Sequence, residues 1–574
     1  MTQLDSILVA INAFLWQNTI LYLLLGTGIL FTVWSGFCQY RALTHGLHVV
    51  RGIYDAPDDP GAINHFQALS AALSATVGLG NIGGVALAIA LGGPGAVFWM
   101  WVVGFFGMAI KLTEVTLSML YRNTDDPDNP HGGPMWVVSR ALANRSPKLA
   151  GLGKAIAVLF CITALISTAT GGNMFQAWNV GVITEEYFGV PSIATGIVLA
   201  IIVGMVIIGG IKRIGAVAGR MVPIMLALYI LAGLYVLLVN YAEVPRMLAL
   251  IVSSAFSSTQ ASGAFIGGTM GYAFLFGMKR ALFSNEAGQG TSPMAHSAAK
   301  TDEPVREGIV AGLEPFIDTI VVCTITALVI LSTNVWNRSP DAALPATASL
   351  EQGADGAWNL PDMPAPPRQA GRWQNGDGLY VIVRADPNPK SGNDLHRLDG
   401  FVTVANGAAT ISWNGIASEM RPALNGPGIY EGLVGATLTA KAFDTVVPGL
   451  GKWLVTLAVW MFAISTCISW SYYGEQSAIF LAGEKAVLPY KLAFCALTII
   501  ATTGFIKTDA QLDNLSGIGT GVMLFVNVPI MWLLGSQAML AYKDYIRRFK
   551  TGRMGSEHPP PSLEDLISGR DVED

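Results

Sequence analysis

The chain has 574 residues, of which 52% are hydrophobic and 13% charged, and its formal net charge at pH 7 is −5. This composition is too apolar for an ordinary soluble protein and predicts a chain that lies largely in a bilayer. The basic residues are spread over connecting loops, which argues against a nucleic-acid partner. The five cysteines stand singly with no CxxC pair, so neither a disulfide nor a metal site is predicted.

Eleven apolar segments are long enough to cross a hydrocarbon layer about 30 Å thick. In chain order they are 16–36, 66–92, 94–121, 150–180, 191–211, 219–240, 257–285, 304–333, 452–481, 488–506 and 515–541. Basic residues fall on alternate loops, and the positive-inside rule then puts the N-terminus outside and the C-terminus in the cytoplasm. The first sixteen residues lack the basic start and cleavage site of a signal peptide, so we expect them to be retained.

The second segment is interrupted by glycines. The run TVGLGNIGG, from Thr76 to Gly84, holds four glycines around Asn81, and each glycine costs about 1 kcal/mol of helix stability relative to alanine. We therefore predict a break, which a membrane tolerates only where the freed backbone groups face protein, water or a ligand. A zwitterionic amino acid suits such a break, because both of its charges meet backbone dipoles. Glycines that only allow close helix packing are the alternative, but packing does not require Asn81.

A second interruption, Gly267-Gly268-Thr269-Met270-Gly271, lies in the seventh segment. Two interrupted helices, one in each half of ten core helices, are typical of an inverted-repeat transporter with its site near the midplane. Glu286 follows near the cytoplasmic end, close to Lys279 and Arg280. We interpret Glu286 as a salt-bridged structural or gating residue rather than a substrate contact.

Charged residues inside apolar segments cost about 2.5–3.5 kcal/mol each at a helix centre. Asp318 is predicted near the middle of the bilayer, where it ligates a coupling cation, carries a proton or locks two helices together. Glu314 lies one turn earlier on the same face and is a candidate for the same network. Lys111 and Glu114 are three residues apart, so we expect a local ion pair with snorkelling.

The ninth segment carries a run of hydroxyl groups from Ser465 to Tyr473. Most hydroxyls in membrane helices bond back to the backbone, but the adjacent pair Ser465 and Thr466 offers the oxygen ligands that sodium prefers. Trp470 lies one turn beyond Thr466 and either closes a small pocket or only packs. Asn173 and Gln176, at the end of the fourth segment, either bond a ligand or satisfy the helix end.

The composition between the eighth and ninth segments changes to Pro, Gly, Asn, Asp and Arg with alternating apolar runs, which predicts a small β-rich domain on the outer face. The predicted organisation is a transmembrane part at 1–333, this insertion at 334–443, a second transmembrane part at 444–545 and a cytoplasmic tail at 546–574. The Pro-rich, acidic end of the tail is expected to be disordered.

Six sequence blocks lie in order over nearly the whole membrane part: ALSATVGLGNIGGVALAI, GGPGAVFWMWVVGFFGMAIKLTE, HGGPMWV, GGNMFQAWN, KRALFSNEAGQGTSPMAHSAAKTDEPVREG and FAISTCISWSYYGEQ. Together they resemble the alanine or glycine:cation symporter family. The resemblance implies sodium-driven uptake of alanine, glycine or a similar small amino acid across the bacterial plasma membrane. It also implies an all-α polytopic, leucine-transporter-like fold of two inverted five-helix repeats, with discontinuous first and sixth core helices and one extra N-terminal helix. The family typically lacks an outer insertion of this size.

The resemblance also assigns residues to the site. The carbonyls of Ser74 and Val77 with the hydroxyls of Ser465 and Thr466 would hold one sodium ion, while Thr76 and Asn81 match a second sodium site of multi-sodium relatives. With the residues singled out above, the predicted substrate contacts are Thr76, Gly78, Gly80, Asn173, Gln176, Gly268, Thr269 and Trp470. The predicted cation ligands are Ser74, Val77, Asn81, Ser465, Thr466 and Asp318.

Other protein classes fit the sequence less well. A channel would show pore-lining repeats or charge rings, and an enzyme would need a nucleophile and base at one depth, whereas all seven histidines lie in loops or at segment ends. Sodium is the expected ion, and no cofactor is predicted. Two alternatives remain open: proton coupling through Asp318, and a transporter-derived sensor that uses the insertion.

Overall fold

The computed structural model describes residues 8–568 except 9, 13, 57, 258–263, 266–269, 354–355, 369–372, 374, 388–392, 406, 434, 505–508 and 555–557. The predicted interruption of the seventh segment falls mainly in one of these gaps. Two predicted substrate contacts, Gly268 and Thr269, therefore lie outside the described residues.

The described part is mainly helical. Its α-helices are α1 (Asn18–Trp34), α2 (Cys38–Arg41), α3 (Leu47–Val50), α4 (His65–Thr76), α5 (Val85–Gly92), α6 (Gly95–Tyr121), α7 (Pro134–Arg145), α8 (Ala150–Ala169), α9 (Phe175–Phe188), α10 (Ser192–Ile207), α11 (Gly210–Val239), α12 (Val244–Ala255), α13 (Met270–Asn285), α14 (Ser292–His296), α15 (Pro304–Ala311), α16 (Thr324–Ser332), α17 (Ala436–Asp444), α18 (Leu450–Ala482), α19 (Val487–Ile500), α20 (Asp509–Thr551) and α21 (Leu563–Ser568). Wider π-helical turns occur at Ala42–Gly46, Gly80–Gly84, Thr170–Met174 and Phe316–Cys323.

Within the described residues, six continuous helical stretches are long and apolar enough to cross a bilayer: Gly95–Tyr121, Pro147–Phe188, Gly210–Val239, Pro304–Ser332, Leu450–Ala482 and Ser516–Thr551. Two bent pairs also qualify, Thr19–Trp34 with Cys38–Val50 at 72° and His65–Thr76 with Gly80–Gly92 at 52°. The total is then up to eight, so the predicted count of eleven is not confirmed. The other three predicted segments hold the shorter helices α10, α13 and α19.

The membrane helices share one apolar core. The long helix α18 packs against α4, α8, α9 and α11, and α6 packs against α1, α13 and α15. Helix α17 contributes Leu438 and Phe443 to this core, although 436–443 was predicted to belong to the soluble insertion. The insertion therefore ends before α17, because this helix packs on the bundle and not on the sheet.

The stretch between α16 and α17 contains a β-sheet with its own core. Six strands pair antiparallel in the order β1 (Ala342–Ala343), β8 (Ala423–Glu431), β5 (Gly378–Arg384), β6 (Leu395–Ala405), β7 (Ala408–Trp413) and β4 (Met363–Pro364), and β2 (Glu351–Gln352) pairs with β3 (Trp358–Asn359). Val381 and Val383 point into the sheet core. From the opposite face of β5, Tyr380 donates a 2.8 Å hydrogen bond to the carbonyl of Ala264, in the segment between α12 and α13. The sheet is thus tied to the helical part; we call 342–431 the β-rich domain.

The C-terminal tail differs from the expectation of disorder. Helix α20 continues to Thr551, beyond the predicted end of the transmembrane part at 545, and α21 forms at Leu563–Ser568. Leu566 of α21 is buried, and Arg548 donates a 3.2 Å hydrogen bond to the carbonyl of His558. These contacts stabilise 558–568 against the bundle, which the acidic, Pro-rich composition alone did not indicate.

Candidate transport site

The predicted break in the second apolar segment is confirmed. Helix α4 begins with a capping box, in which Asn64 accepts a 2.8 Å hydrogen bond from the Gln67 backbone. It ends at Thr76, because Val77 adopts an extended conformation with ψ 96°. The chain then bends by 52° before the wide turn Gly80–Gly84. Helical hydrogen bonding is interrupted over these residues, which leaves polar backbone groups for other partners.

Asn81 stabilises the broken segment from the side away from the cavity described below. Its side-chain oxygen accepts a 2.8 Å hydrogen bond from the backbone N–H of Gly78. Its amide nitrogen donates to the Asp318 carboxylate at 2.6 Å and to the Ser284 hydroxyl at 3.0 Å. Ser284 and Thr319 each donate to the second oxygen of Asp318 at 2.7 Å. Asn81 and Asp318 therefore form a fully buried cluster that joins the break to α13 and to the wide turn Phe316–Cys323.

A cavity of about 990 Å³ lies beside the break. Six of the predicted site residues line this one cavity: Thr76, Gly78, Gly80, Gln176, Thr466 and Trp470. It extends to the β-rich domain, where Asp377 and Glu431 line it, and to Glu185 and Glu186 at the end of α9. The volume exceeds that of a small amino acid, which leaves room for water or for a closing movement.

Two side-chain oxygens at the cavity wall are buried without a hydrogen-bond partner among the described residues. They are Oγ1 of Thr466 and Oε1 of Gln176. Buried polar atoms are usually paired, so each is a candidate ligand contact. The Thr466 hydroxyl faces the break, since a Cβ added at Gly78 would lie 2.9 Å from it.

Ser74 and Ser465 also meet next to the break. The Ser74 hydroxyl donates a 2.7 Å hydrogen bond to the Ser465 carbonyl, and the Ser465 hydroxyl donates to the Phe462 carbonyl at 2.8 Å. A hydroxyl that donates still has lone pairs for a cation. Neutral oxygens of α4 and α18 are thus close together, as a sodium site requires.

Trp470 is held by close packing with the wide turn Thr170–Met174. A Cβ at Gly172 would lie 2.5 Å from Trp470 side-chain atoms, so only glycine allows this approach. The Trp470 ring also meets Tyr473 edge-on, with centroids 5.5 Å apart. The tryptophan therefore presents a fixed surface to the cavity.

Several predicted residues lie elsewhere. Asn173 is fully buried away from the cavity, where it donates to the Phe494 carbonyl at 2.7 Å and accepts from Thr498 at 2.8 Å. Asn173 therefore ties α19 to the bundle and does not line the cavity. Arg280, predicted close to the cytoplasmic end of the seventh segment, belongs to α13 and lines the cavity. Glu286 and Gln289, which follow this helix, line it too. Among the described contacts, Glu286 accepts a 2.5 Å hydrogen bond from Thr291.

The surroundings of Lys111 and Glu314 differ from those predicted. Lys111 lies 3.7 Å from Glu114, as predicted, but it is fully buried and does not snorkel. It is also 3.3 Å from Glu314, which therefore belongs to a network with Lys111 and not with Asp318. Two further members, His296 and Glu307, were missed by the sequence analysis. The available signal was two glutamates seven residues apart, Glu307 in α15 and Glu314 just after it, which must both find partners.

The structure thus joins a broken membrane helix to a polar cavity, and no cluster of three or more His, Cys, Asp or Glu suited to a metal ion occurs among the described residues. Comparison with known proteins identifies the class as a membrane transporter and not an enzyme. The chain matches the sodium:alanine symporter family over residues 1–359 and 410–558, and it belongs to that family. Within the predicted insertion only 360–409 falls outside the match, so the family model covers both ends of the insertion.

Individual relatives support the same assignment. The chain is 36% identical over 540 residues to the sodium/alanine symporter AgcS of Methanococcus maripaludis, covering 94% of this chain and 97% of the relative. It is 28% identical over 540 residues to the amino-acid carrier protein AlsT of Bacillus subtilis, covering 94% and 91%. Among solved structures it is similar to MhsT in complex with L-phenylalanine, at 14% identity and a TM-score of 0.48 over 84% of this chain and 93% of that chain.

Proposed function

We propose that this protein takes up alanine, glycine or a similar small amino acid together with sodium, with both bound at the break in the second apolar segment. The observation that carries the proposal is the Thr466 hydroxyl, which has no hydrogen-bond partner in the described part of the chain and faces Gly78 across the break. The name of AgcS, a sodium/alanine symporter, supports the same pair of ligands.

Sodium binds between α4 and α18 in this proposal. The Thr466 and Ser465 hydroxyls supply two ligands, and the backbone carbonyls of Ser74 and Val77 supply two more. All of these oxygens are neutral, which suits a monovalent cation that must bind and leave in every cycle. The hydrogen bond between Ser74 and Ser465 supports the close approach of the two helices.

The amino acid binds next to this ion. Its carboxylate takes backbone N–H groups of the break near Gly80, since the Gly78 N–H already donates to Asn81, and its ammonium takes the side-chain oxygen of Gln176. Trp470 limits the side chain of the substrate, because Gly172 and Tyr473 hold its ring in place. Thr76 contributes a further oxygen at the cavity wall, and Gly268 and Thr269 remain predicted contacts.

The architecture proposed for this cycle has eleven spans: an extra first helix followed by two inverted repeats of five. Three of the predicted segments hold α10, α13 and α19. These helices are too short to qualify as spans on their own. In this arrangement the protein lies in the bacterial plasma membrane with the β-rich domain outside and the C-terminus in the cytoplasm. The alternation of basic loops supports this orientation.

Proton coupling through Asp318 is the second candidate. Asp318 is fully buried, accepts three side-chain hydrogen bonds and has no cationic partner within ion-pair distance among the described residues. An ionisable residue inside a membrane segment is a candidate member of a proton pathway. The sensor hypothesis has weaker support, namely the Asn375–Gly378 stretch of the β-rich domain at the cavity wall.

Equilibrium binding of radiolabelled alanine to the purified protein tests the proposal. Sodium should increase alanine affinity strongly at constant ionic strength, whereas choline should not. Gln176→Ala should weaken alanine binding, while Asn179→Ala, one turn further along the cavity wall, is the matched control. Sodium-independent alanine binding that depends on pH would instead favour coupling through Asp318.

A further inference from the structure

A network of buried ionisable residues lies at the end of the helix bundle far from the β-rich domain. Its members are His65, Lys111, Glu114, His296, Glu307 and Glu314, and none is more than 3% exposed. Helix α4 runs from His65 to the break, about 17 Å along the axis, and Gly83 beyond the break packs on Gly435, just after the β-rich domain. We call this end of the bundle the closed face.

The members are joined one to the next. Glu307 bonds His65 Nδ1 with one oxygen and His296 Nδ1 with the other. His296 Nε2 lies 2.7 Å from Glu314. Glu314 in turn is 3.3 Å from Lys111 and accepts a 2.7 Å hydrogen bond from Ser292. The network therefore connects α4, α6, α14 and α15.

The geometry at His296 requires an additional proton. Both ring nitrogens face carboxylate oxygens, and a neutral imidazole carries only one N–H. Either His296 is an imidazolium or one of the two carboxyls holds the proton. Burial lowers the pKa of His296, but Glu314 and Glu307 raise it by more, to about 9. The proton therefore resides on His296 at neutral pH.

The surrounding charges favour the same state. Within the network, Glu114, Glu307 and Glu314 face one permanent cation, Lys111. Nearby, Arg122 donates to the carbonyls of Pro60, Ser297, Ala299 and Thr301, and Glu286 accepts from Thr291. Other charged groups around this end are Asp55, 3.6 Å from His65, and Asp59, which accepts from the Ala56 backbone. Arg306 lies 3.9 Å from Asp302, and Arg548 binds Glu303 and Asp544.

The network also closes the floor of the cavity. Glu286 and Gln289 line the cavity, and the chain that follows them enters the network at Ser292 and His296. Glu114 accepts hydrogen bonds from the Gly290 backbone at 3.2 Å and from Asn527 of α20 at 2.9 Å. Passage from the cavity to the closed face therefore requires these elements to separate.

We propose that His296 is a proton-binding site of the closed face, which keeps its proton while this face is shut and releases it when the face opens. The inference rests on the proposed transport function only in that the cavity must open to this face during the cycle. Separation of α14 from α15 hydrates the imidazole and removes its two carboxylate partners. Its pKa then returns to about 6.5, and the proton leaves to water.

The sign of the pH effect follows from linkage. The folded, closed state has the raised pKa, so its extra stability is fully present below about pH 6.5 and is lost as the pH rises towards 9. Alkaline solution at the closed face should therefore favour opening. Between pH 6.5 and 8.5 the opening equilibrium should increase by about tenfold or more, from the difference between the two pKa values.

Amide hydrogen exchange of the full-length protein in lipid nanodiscs tests this site without measuring transport. After correction for intrinsic exchange, protection of residues 286–303 should fall by about tenfold or more between pH 6.5 and 8.5. His296→Gln should abolish this pH dependence, and the exposed His48→Gln is the matched control that should retain it. If His296→Gln does not fold, Glu314→Gln keeps the test decisive, because losing one carboxylate should move the transition to lower pH.

Unchanged protection over this range in the wild-type protein would overturn the proposal. The same transition in wild type and Glu314→Gln would also overturn it. Either result leaves sodium-coupled uptake untouched, whereas failure of alanine binding would contradict the proposed function without affecting the exchange result.

Discussion

Asn81 donates a 2.6 Å hydrogen bond from its side-chain amide to the buried carboxylate of Asp318. The other end of the same amide accepts from the Gly78 backbone N–H. One side chain therefore links the cavity-facing backbone of the break to a carboxylate on the eighth predicted segment. Substitution of either residue should therefore alter the site, although neither side chain lines the cavity.

Replacing Asn81 by alanine should reduce alanine uptake at least tenfold, because it frees the Gly78 N–H and removes a donor from Asp318. Each buried polar group left unpaired costs about 1–3 kcal/mol. The control is Asn173→Ala, which removes a buried asparagine that ties α19 to the bundle away from the cavity. It should lower thermal stability but change the substrate affinity of the folded fraction little. Equal losses of affinity in both variants would argue against a special role for Asn81.

Thr466→Ala should raise the sodium concentration needed for half-maximal uptake, with a smaller effect on amino-acid selectivity, because it removes a proposed ion ligand. Thr466→Ser, which keeps the hydroxyl, should largely restore sodium affinity. The matched control is Thr456→Ala on the same helix, since its hydroxyl is already used in a 2.6 Å bond to the Lys452 carbonyl. Sodium dependence that is identical in Thr466→Ala and wild type would remove Thr466 from the site.

Gly78 and Gly80 should respond differently to alanine. A Cβ at Gly78 would lie 2.9 Å from the Thr466 hydroxyl, whereas the nearest atom to a Cβ at Gly80 is 3.8 Å away. Gly78→Ala should therefore raise the sodium requirement, while Gly80→Ala should fold normally and discriminate against alanine more than against glycine. Gly80→Val should abolish transport of both. Uptake ratios for the two amino acids, with membrane expression as control, check this.

Trp470→Ala should admit larger amino acids, because it removes the fixed surface that we propose limits the substrate side chain. Gly172→Ala should disturb the same ring from behind, since its Cβ would lie 2.5 Å from Trp470. Competition of labelled alanine uptake by glycine, serine, leucine and glutamine measures the change. A Trp470→Ala protein that still accepts only the smallest amino acids would identify the residue as packing.

The main features that the sequence predicted are those encoded locally. The cost of four glycines near Asn81 indicated the break, and apolar length indicated the membrane helices. Features that depend on tertiary contacts were not predictable. Arg280 reaches the cavity wall because α13 is oriented that way, and His296 finds Glu307 and Glu314 only when α14 folds against α15. Asn173 turned towards α19, which nothing in its own segment indicates.

Alanine uptake into proteoliposomes under an imposed sodium gradient, with equal pH on both sides, tests the central claim most directly. We expect alanine to accumulate above its external concentration when the sodium gradient is directed inward. This accumulation should be lost when choline replaces sodium, and Thr466→Ala should need more sodium. Accumulation that persists without sodium and collapses when a pH gradient is dissipated would contradict it.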